Sequence, residues 1–427
     1  MKFNTSKYNS HWEDKKLSEL GSFNRGKSKH RPRNDPALFD GGEHPLVQTG
    51  EVKGADLFID KHGATYNDFG LSQSKLWPKD TLCITIAANI AETALLRYPM
   101  CFPDSIVGFL ADKEESSELF MHYVFTYIRR SIQSSASGSI QDNINIEYLT
   151  GLIFKIPKKN YQDKIVGILS ALDKKIALNN KINAELEAMA KLIYDYWFVQ
   201  FDFPDANGRP YKSSGGKMVY NEALKREIPD GWSLMPLEGI VDVISDTVTP
   251  SDICSKTAYI GLEHIPRKTI VLSDWETAEK VDSNKSKCKK MDILFGKIRP
   301  YFHKVGICFV DGITSTDTIV LRAKEEELQG IALQTVFTEH FVESATNSST
   351  GTKMPRANWT VLKNYKIPIP PNELLCKYQS LFDDVVAKIE VSIYQNKELS
   401  ELRDWLLPML MNGQVTVKNS KKKINQK

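Results

Sequence analysis

Apolar residues stepping by alternating threes and fours dominate two stretches of the chain, with the interruptions falling in the same places in both. From about Gln162 to Phe198 the seam is Leu169, Leu172, Ile176, Leu186, Met189 and Ile193, with polar Asn179 and Asn183 in its middle. From about Leu374 to Leu407 it is Phe382, Val385, Ile389, Leu399, Leu402 and Leu406, interrupted at Ser392 and Asn396. Each second-seam position lies 213 residues after a first-seam position, polar gaps included. The period predicts two amphipathic helices, each a rod of about 50 Å. Two unrelated helices would agree in period but not in their faults, so these are repeats. A seam this long must be buried. Either the two rods pair or each packs on its neighbouring domain; the cheapest partner for each rod is the other, giving an intramolecular coiled coil with the Asn positions setting register at some cost in stability.

The stretches before each rod mix short β-type runs with Gly, Pro and Asn. Leu82–Ile86 and Ser105–Phe109 read as strands, and Ser117–Ile132 as a helix followed by a Ser-rich loop. These stretches repeat too: Asp104-Ser-Ile-Val answers Asp317-Thr-Ile-Val, Ser137-Gly-Ser answers Thr350-Gly-Thr, and Ile156-Pro157 answers Ile369-Pro370. The expected layout is an α/β (α+β) domain over 1–157, a spacer helix over 158–204, and a Gly- and Lys-rich linker over 205–231. A second domain over 232–370, a second spacer helix over 371–415 and a basic tail over 416–427 complete it. Like halves joined by pairing helices give an internal pseudo-twofold. Antiparallel rods would set the domains about 50 Å apart. That separation suits a reader of two DNA half-sites, since B-DNA repeats every 34–36 Å or so.

Length agrees with several structural units: 427 residues exceed one core. A net charge of +3 says little about partners, so distribution matters more. Arg25, Lys27, Lys29, Arg31 and Arg33 form an acid-free basic run, and Lys418 to Lys427 a basic tail; each suits polyanions or a solvated loop. Six cysteines without CxxC or zinc spacing, no apolar leader and no long apolar run fit a reducing cytoplasm without membrane spans.

Catalytic signatures are missing from the sequence: no GxGxxG, no GxxxxGK[ST], no HExxH, and scattered histidines that define no metal site. Binding signals are stronger. Lys297, Arg299, Tyr301, His303 and Lys304 crowd a Pro-containing segment after an apolar strand, a composition suited to phosphates and base edges. The loop Ser348–Arg356 offers small hydroxyls, Gly351, Thr352, Lys353 and Arg356, so that backbone N–H groups and cations could approach phosphate oxygens. Its counterpart in the first half offers Ser139, Gln141 and Asn143, the last two able to pair with adenine. The acidic runs Glu114-Glu115 and Glu325-Glu326-Glu327 favour the alternative, a protein adaptor that binds no DNA, if they share the reading face.

The stretch 156–204 (IPKKNYQDKIVGILSALDKKIALNNKINAELEAMAKLIYDYWFVQFDFP), NGRPYKSSGGKMVYN, IPDGW and LLPMLMNGQV resemble the specificity (S) subunit of type I restriction-modification systems, from Trp12 to Val415. The resemblance implies two α/β target recognition domains that each read half of a split DNA sequence, joined by two long helices that form an antiparallel intramolecular coiled coil and space the half-sites. It implies docking of two modification subunits that methylate adenine with S-adenosylmethionine, and of restriction subunits that use ATP and Mg²⁺. It places no catalysis and no cofactor in this chain. By this likeness Lys297, Arg299, Tyr301, Thr352 and Lys353 face DNA. The Lys-Ile-Arg-Pro pattern of the second half has no match in the first, where Ser139, Gln141, Asn143 and the run Arg25–Arg33 are the candidates.

Overall fold

The computed structural model describes residues 2–87, 89–137, 145–351 and 353–417. The chain divides into two compact units: 1–178 with 396–427, and 179–395. Both long helices pass from one unit to the other.

In the first unit a five-stranded sheet runs Gly21–Arg25, Ile106–Ala111, Leu82–Thr85, Thr93–Leu96, Phe58–Ile59, with the last pair parallel. A second sheet runs Ala64–Tyr66, His44–Leu46, Met100–Cys101, Leu76–Trp77, its middle pair parallel. The second unit repeats both. Val241–Val243, Thr318–Ala323, Ile293–Gly296 and Val305–Ile307 are joined by a parallel bridge from Val271 to Ile307. Glu276–Thr277, Ala258–Ile260, Gly312–Ser315 and Lys285–Cys288 follow the second order, again with a parallel middle pair, and Thr247–Val248 is added at the edge. Each unit has a further small sheet: Lys2–Phe3, Ile153–Ile156 and Glu13–Lys16 in the first, and Ser233–Pro236 with Lys366–Ile369 in the second.

The central strands are buried on both faces, which explains their unbroken apolar runs. Leu82 and Ile84 join the core under the helix Glu118–Ser137, while Cys83 joins a separate core with Trp77 and Phe102. Ile293 and Phe295 likewise face one core and Leu294 another. Gly108 is required between these layers: a Cβ there would lie 2.7 Å from Trp77 and 2.8 Å from Phe102, whose rings stack at 4.7 Å.

The rods are Lys159–Tyr194, continued by a wider π turn over Asp195–Val199, and Asn372–Met411. In the second unit they run antiparallel, because Asn179 Nδ2 donates to Gln395 Oε1 at 3.3 Å while the Tyr194 and Tyr378 rings meet at 6.5 Å. In the first unit Ile165 and Leu169 share a core with Leu407, Leu410 and Met411. This burial carries the second rod through Pro408 to Met411, although Pro removes one helical donor.

Of the seam positions, Leu169, Phe382, Val385 and Ile389 are buried, and Leu172, Ile176, Leu186, Ile193, Leu399 and Leu406 are partly buried. Two positions are corrected. Met189 is 48% exposed and Leu402 43%, whereas their neighbours Ala190 and Arg403 occupy the seam. Both errors are one slip of phase. After Leu186 and Leu399 the next step is four, and the seam residue there is small in one rod and charged in the other.

The expected linker is also corrected. Met218–Asn221 and Arg226–Pro229 form a hairpin whose Ile228 is buried in the second core. Ser213 N–H and Oγ both bond Asp202, at 2.7 and 2.6 Å, and Tyr211 stacks on Phe203.

Candidate nucleic-acid interface

In the second unit the fold brings together two segments that the sequence nominates some fifty residues apart. Lys297 N–H donates to Asp317 C=O at 2.8 Å, and the Lys297 carbonyl accepts Ala357 N–H at 2.9 Å. Arg299 N–H donates to Pro355 C=O at 2.7 Å, and Ile298 pairs with Arg356, which in turn pairs with Thr350. A small backbone lattice thus fixes the 297–301 segment against the 350–356 loop. Lys353 is exposed at its rim, and Arg356 Nε bonds the Asp317 carboxylate at 3.2 Å. Thr352 lies outside the described residues.

The turn Pro300–Phe302 stands between Arg299 at φ 49° and His303 at φ 52°. Two non-glycine residues in the left-handed region cost of order 1–3 kcal/mol each and persist only where the surroundings enforce them. His303 supplies the enforcement. Its buried ring is held by Nε2–H to Phe337 C=O at 2.8 Å and packs edge-on to Phe337. Tyr301 is left at the apex, 51% exposed. The Phe302 ring beside it carries Arg267 at 3.9 Å and Arg299 at 5.9 Å, and Arg299 Nε is buried without a hydrogen-bond partner. Arg267 was not nominated by the sequence; the only local signal is a Pro-Arg-Lys turn, since its stacking partner lies 35 positions away.

Lys304 does not join this surface. Its ammonium turns inward to the Leu262 carbonyl, and burial, with Arg267 nearby, lowers its pKa. His340 bonds Tyr365 Oη at 2.7 Å, and no His/Cys/Asp/Glu group that could hold a metal occurs among the described residues.

The first unit builds the corresponding corner from different chain. Arg25 ends the strand paired with Ile106–Ala111, and Gly26 N–H donates to Ile106 C=O at 2.9 Å. Gly26 lies so close that a Cβ would meet the Phe102 and Pro103 carbonyl oxygens at 2.3 Å. The run that follows folds over the turn at Asp104, where Arg33 bonds at 2.6 Å and Arg31 lies at 3.7 Å. Arg25, Lys27 and Lys29 stay exposed. Asp104 and Asp317, aligned by the repeat, each stand just before the central strand and each anchor arginine. Ser139, Gln141 and Asn143 lie outside the described residues.

The acidic runs occupy the other ends of those strands. Glu114-Glu115 follow Ile106–Ala111 and Glu325–Glu327 follow Thr318–Ala323, about 20 Å along six extended residues from the aspartates. Glu115 pairs with Lys15, and Glu326 lies near Asp383 of the second rod. The acidic runs therefore lie at the opposite strand ends from the two aspartates and the basic side chains around them.

Comparison with known proteins gives a consistent result. The model described as type I restriction modification DNA specificity domain matches residues 9–188 and 229–398. The specificity subunit of the type I restriction enzyme MjaIX of Methanocaldococcus jannaschii is 23% identical over 429 residues, covering 95% of this chain and 94% of that one. That of EcoDI from Escherichia coli is 23% identical over 332 residues, covering 73% of each. The solved S subunit of a type I restriction-modification system from M. genitalium has the same fold, with a TM-score of 0.52 at 15% identity, covering 96% of this chain and 99% of that one.

Proposed function

The chain belongs to the type I restriction modification DNA specificity domain family, and on that premise we propose that it reads a bipartite DNA target without catalysing any step itself. Each unit contacts one half-site through its cationic corner. The carrying observation is that two independent loops converge on the Lys297–Tyr301 turn, while the first unit covers the aligned aspartate with its own basic run.

Division of labour follows from the side chains. Lys27, Lys29 and Lys353, exposed and flexible, neutralise phosphates and set affinity and salt dependence. Arg299 and Tyr301, on a rigid turn, present a fork and a ring to base edges. Methyl transfer with S-adenosylmethionine and any ATP- and Mg²⁺-driven restriction belong to partner subunits. The rods support docking of two modification subunits. In the second unit the first rod exposes Ile182, Met189, Leu192, Tyr196 and Val199 at heptad-like spacing; in the first unit the second rod exposes Leu402 and Trp405.

Methylome sequencing of cells carrying this gene with its partner genes tests the reading. Methylated adenines should fall in a split motif with a fixed spacer and disappear on deletion of the gene; methylation unchanged by the deletion would refute it.

A further inference from the structure

Three side chains of the first unit break the internal repeat. Asp173, on the first rod, has its side chain nine-tenths buried; it accepts the Tyr123 hydroxyl and bonds Arg403 Nη1 at 3.1 Å. Arg403, on the second rod, is two-thirds covered and also touches Asp404 of its own helix at 2.9 Å. Moved on by 213 residues, Tyr123 becomes Val336 and Asp173 becomes Val386; moved back, Arg403 becomes Ala190. All three counterparts are buried in the second unit's apolar core. At this one position the first unit joins its rod segments through charge, and the second through hydrocarbon.

That asymmetry has a consequence for partner choice. Two rods with the same seam could pair in any combination, including like with like between two copies of the chain. In the observed register position 173 meets position 403. Two first rods paired in the equivalent register would set each Asp173 against Ala190, and two second rods would set each Arg403 against Val386. The first arrangement buries Asp173 without its cation, which is strongly unfavourable; the second leaves Arg403 against an apolar side chain with only Asp404 of its own helix as partner. We propose that the Tyr123–Asp173–Arg403 network selects pairing of the first rod with the second and rejects like-with-like pairing between copies. This selection is independent of what the units bind.

The test uses the full chain in two variants, Asp173→Arg and Arg403→Asp, each of which places like charges at the contact. Refolded together, one tagged, they can form a 1:1 complex in which every aspartate meets an arginine of the other chain. Native mass spectrometry should show that mixed complex about tenfold or more above either same-chain dimer. A chain carrying both substitutions restores the pair in reversed sense and should return to the oligomeric state of the wild type, with no enrichment of mixed complexes. A mixture holding no more mixed complex than random association gives, or a double variant that behaves like the single ones, overturns the proposal.

Discussion

Replacing Asn183 by Leu should stabilise the protein, and the structure says by how much. Asn183 sits in the seam at 4% exposure, and its Oδ1 is buried with no hydrogen-bond partner. Such an unsatisfied group costs about 1–3 kcal/mol. A leucine of similar length removes that penalty and adds apolar burial, so a net gain of about 2 kcal/mol is expected after allowance for imperfect packing. Urea unfolding followed through the Trp197–Trp232 aromatic cluster reports on the second unit, where Asn183 lies. With a slope near 3 kcal/mol per molar the midpoint rises by about 0.7 M. Asn179 is the control. It is equally buried but donates to Gln395, so Asn179→Leu loses a bond while gaining the same burial, and its benefit should be smaller by about 1 kcal/mol. A midpoint for Asn183→Leu equal to or below wild type, or a larger gain at Asn179, would show that the seam is misassigned.

Other consequences follow from single side chains. His122 is buried against Thr93, and burial, with Arg129 and Arg403 nearby, lowers its pKa from 6.5 to about 3. The folded state therefore binds fewer protons than the unfolded state between those values. Stability is fully present above about 6.5 and falls by about 1.4 kcal/mol per pH unit below it, a slope that His122→Gln should remove in acid titrations of stability. Arg299→Ala should weaken specific DNA binding by the assembled complex by about 1–3 kcal/mol, whereas Lys27→Ala with Lys29→Ala should flatten the salt dependence by up to about two phosphate contacts; fluorescence anisotropy against salt separates the two. Gly26→Ala forces a Cβ onto two carbonyls at 2.3 Å and should cost about 1–3 kcal/mol of stability with loss of first-unit DNA contact, checked by melting and the same anisotropy series.

The rods were legible because a period sustained over ten turns, with matching faults, leaves little else to be. Their phase after Leu186 and Leu399 was not, since Ala190 and Arg403 do not look like seam residues until the facing helix is known. The convergence of 297–301 with 350–356 was half legible. Both stretches carry the right side chains, but only tertiary hydrogen bonds join them. The same limit hid the inward turn of Lys304 and the stacking of Arg267 on Phe302. The hairpin at 218–229 is hidden in the sequence because the Gly and Lys content of its stretch outweighs the few apolar residues, Ile228 among them, that pin it to the core.

The most direct measurement is half-selective methylome mapping. Cells carrying Arg299→Ala with Lys353→Ala should relax or lose sequence preference in one half of the split target only, with the other half and the spacer intact; Arg25→Ala with Lys27→Ala should affect the opposite half. Changes in both halves from either pair of substitutions, or a target that is not split at all, would contradict the assignment of one half-site to each unit.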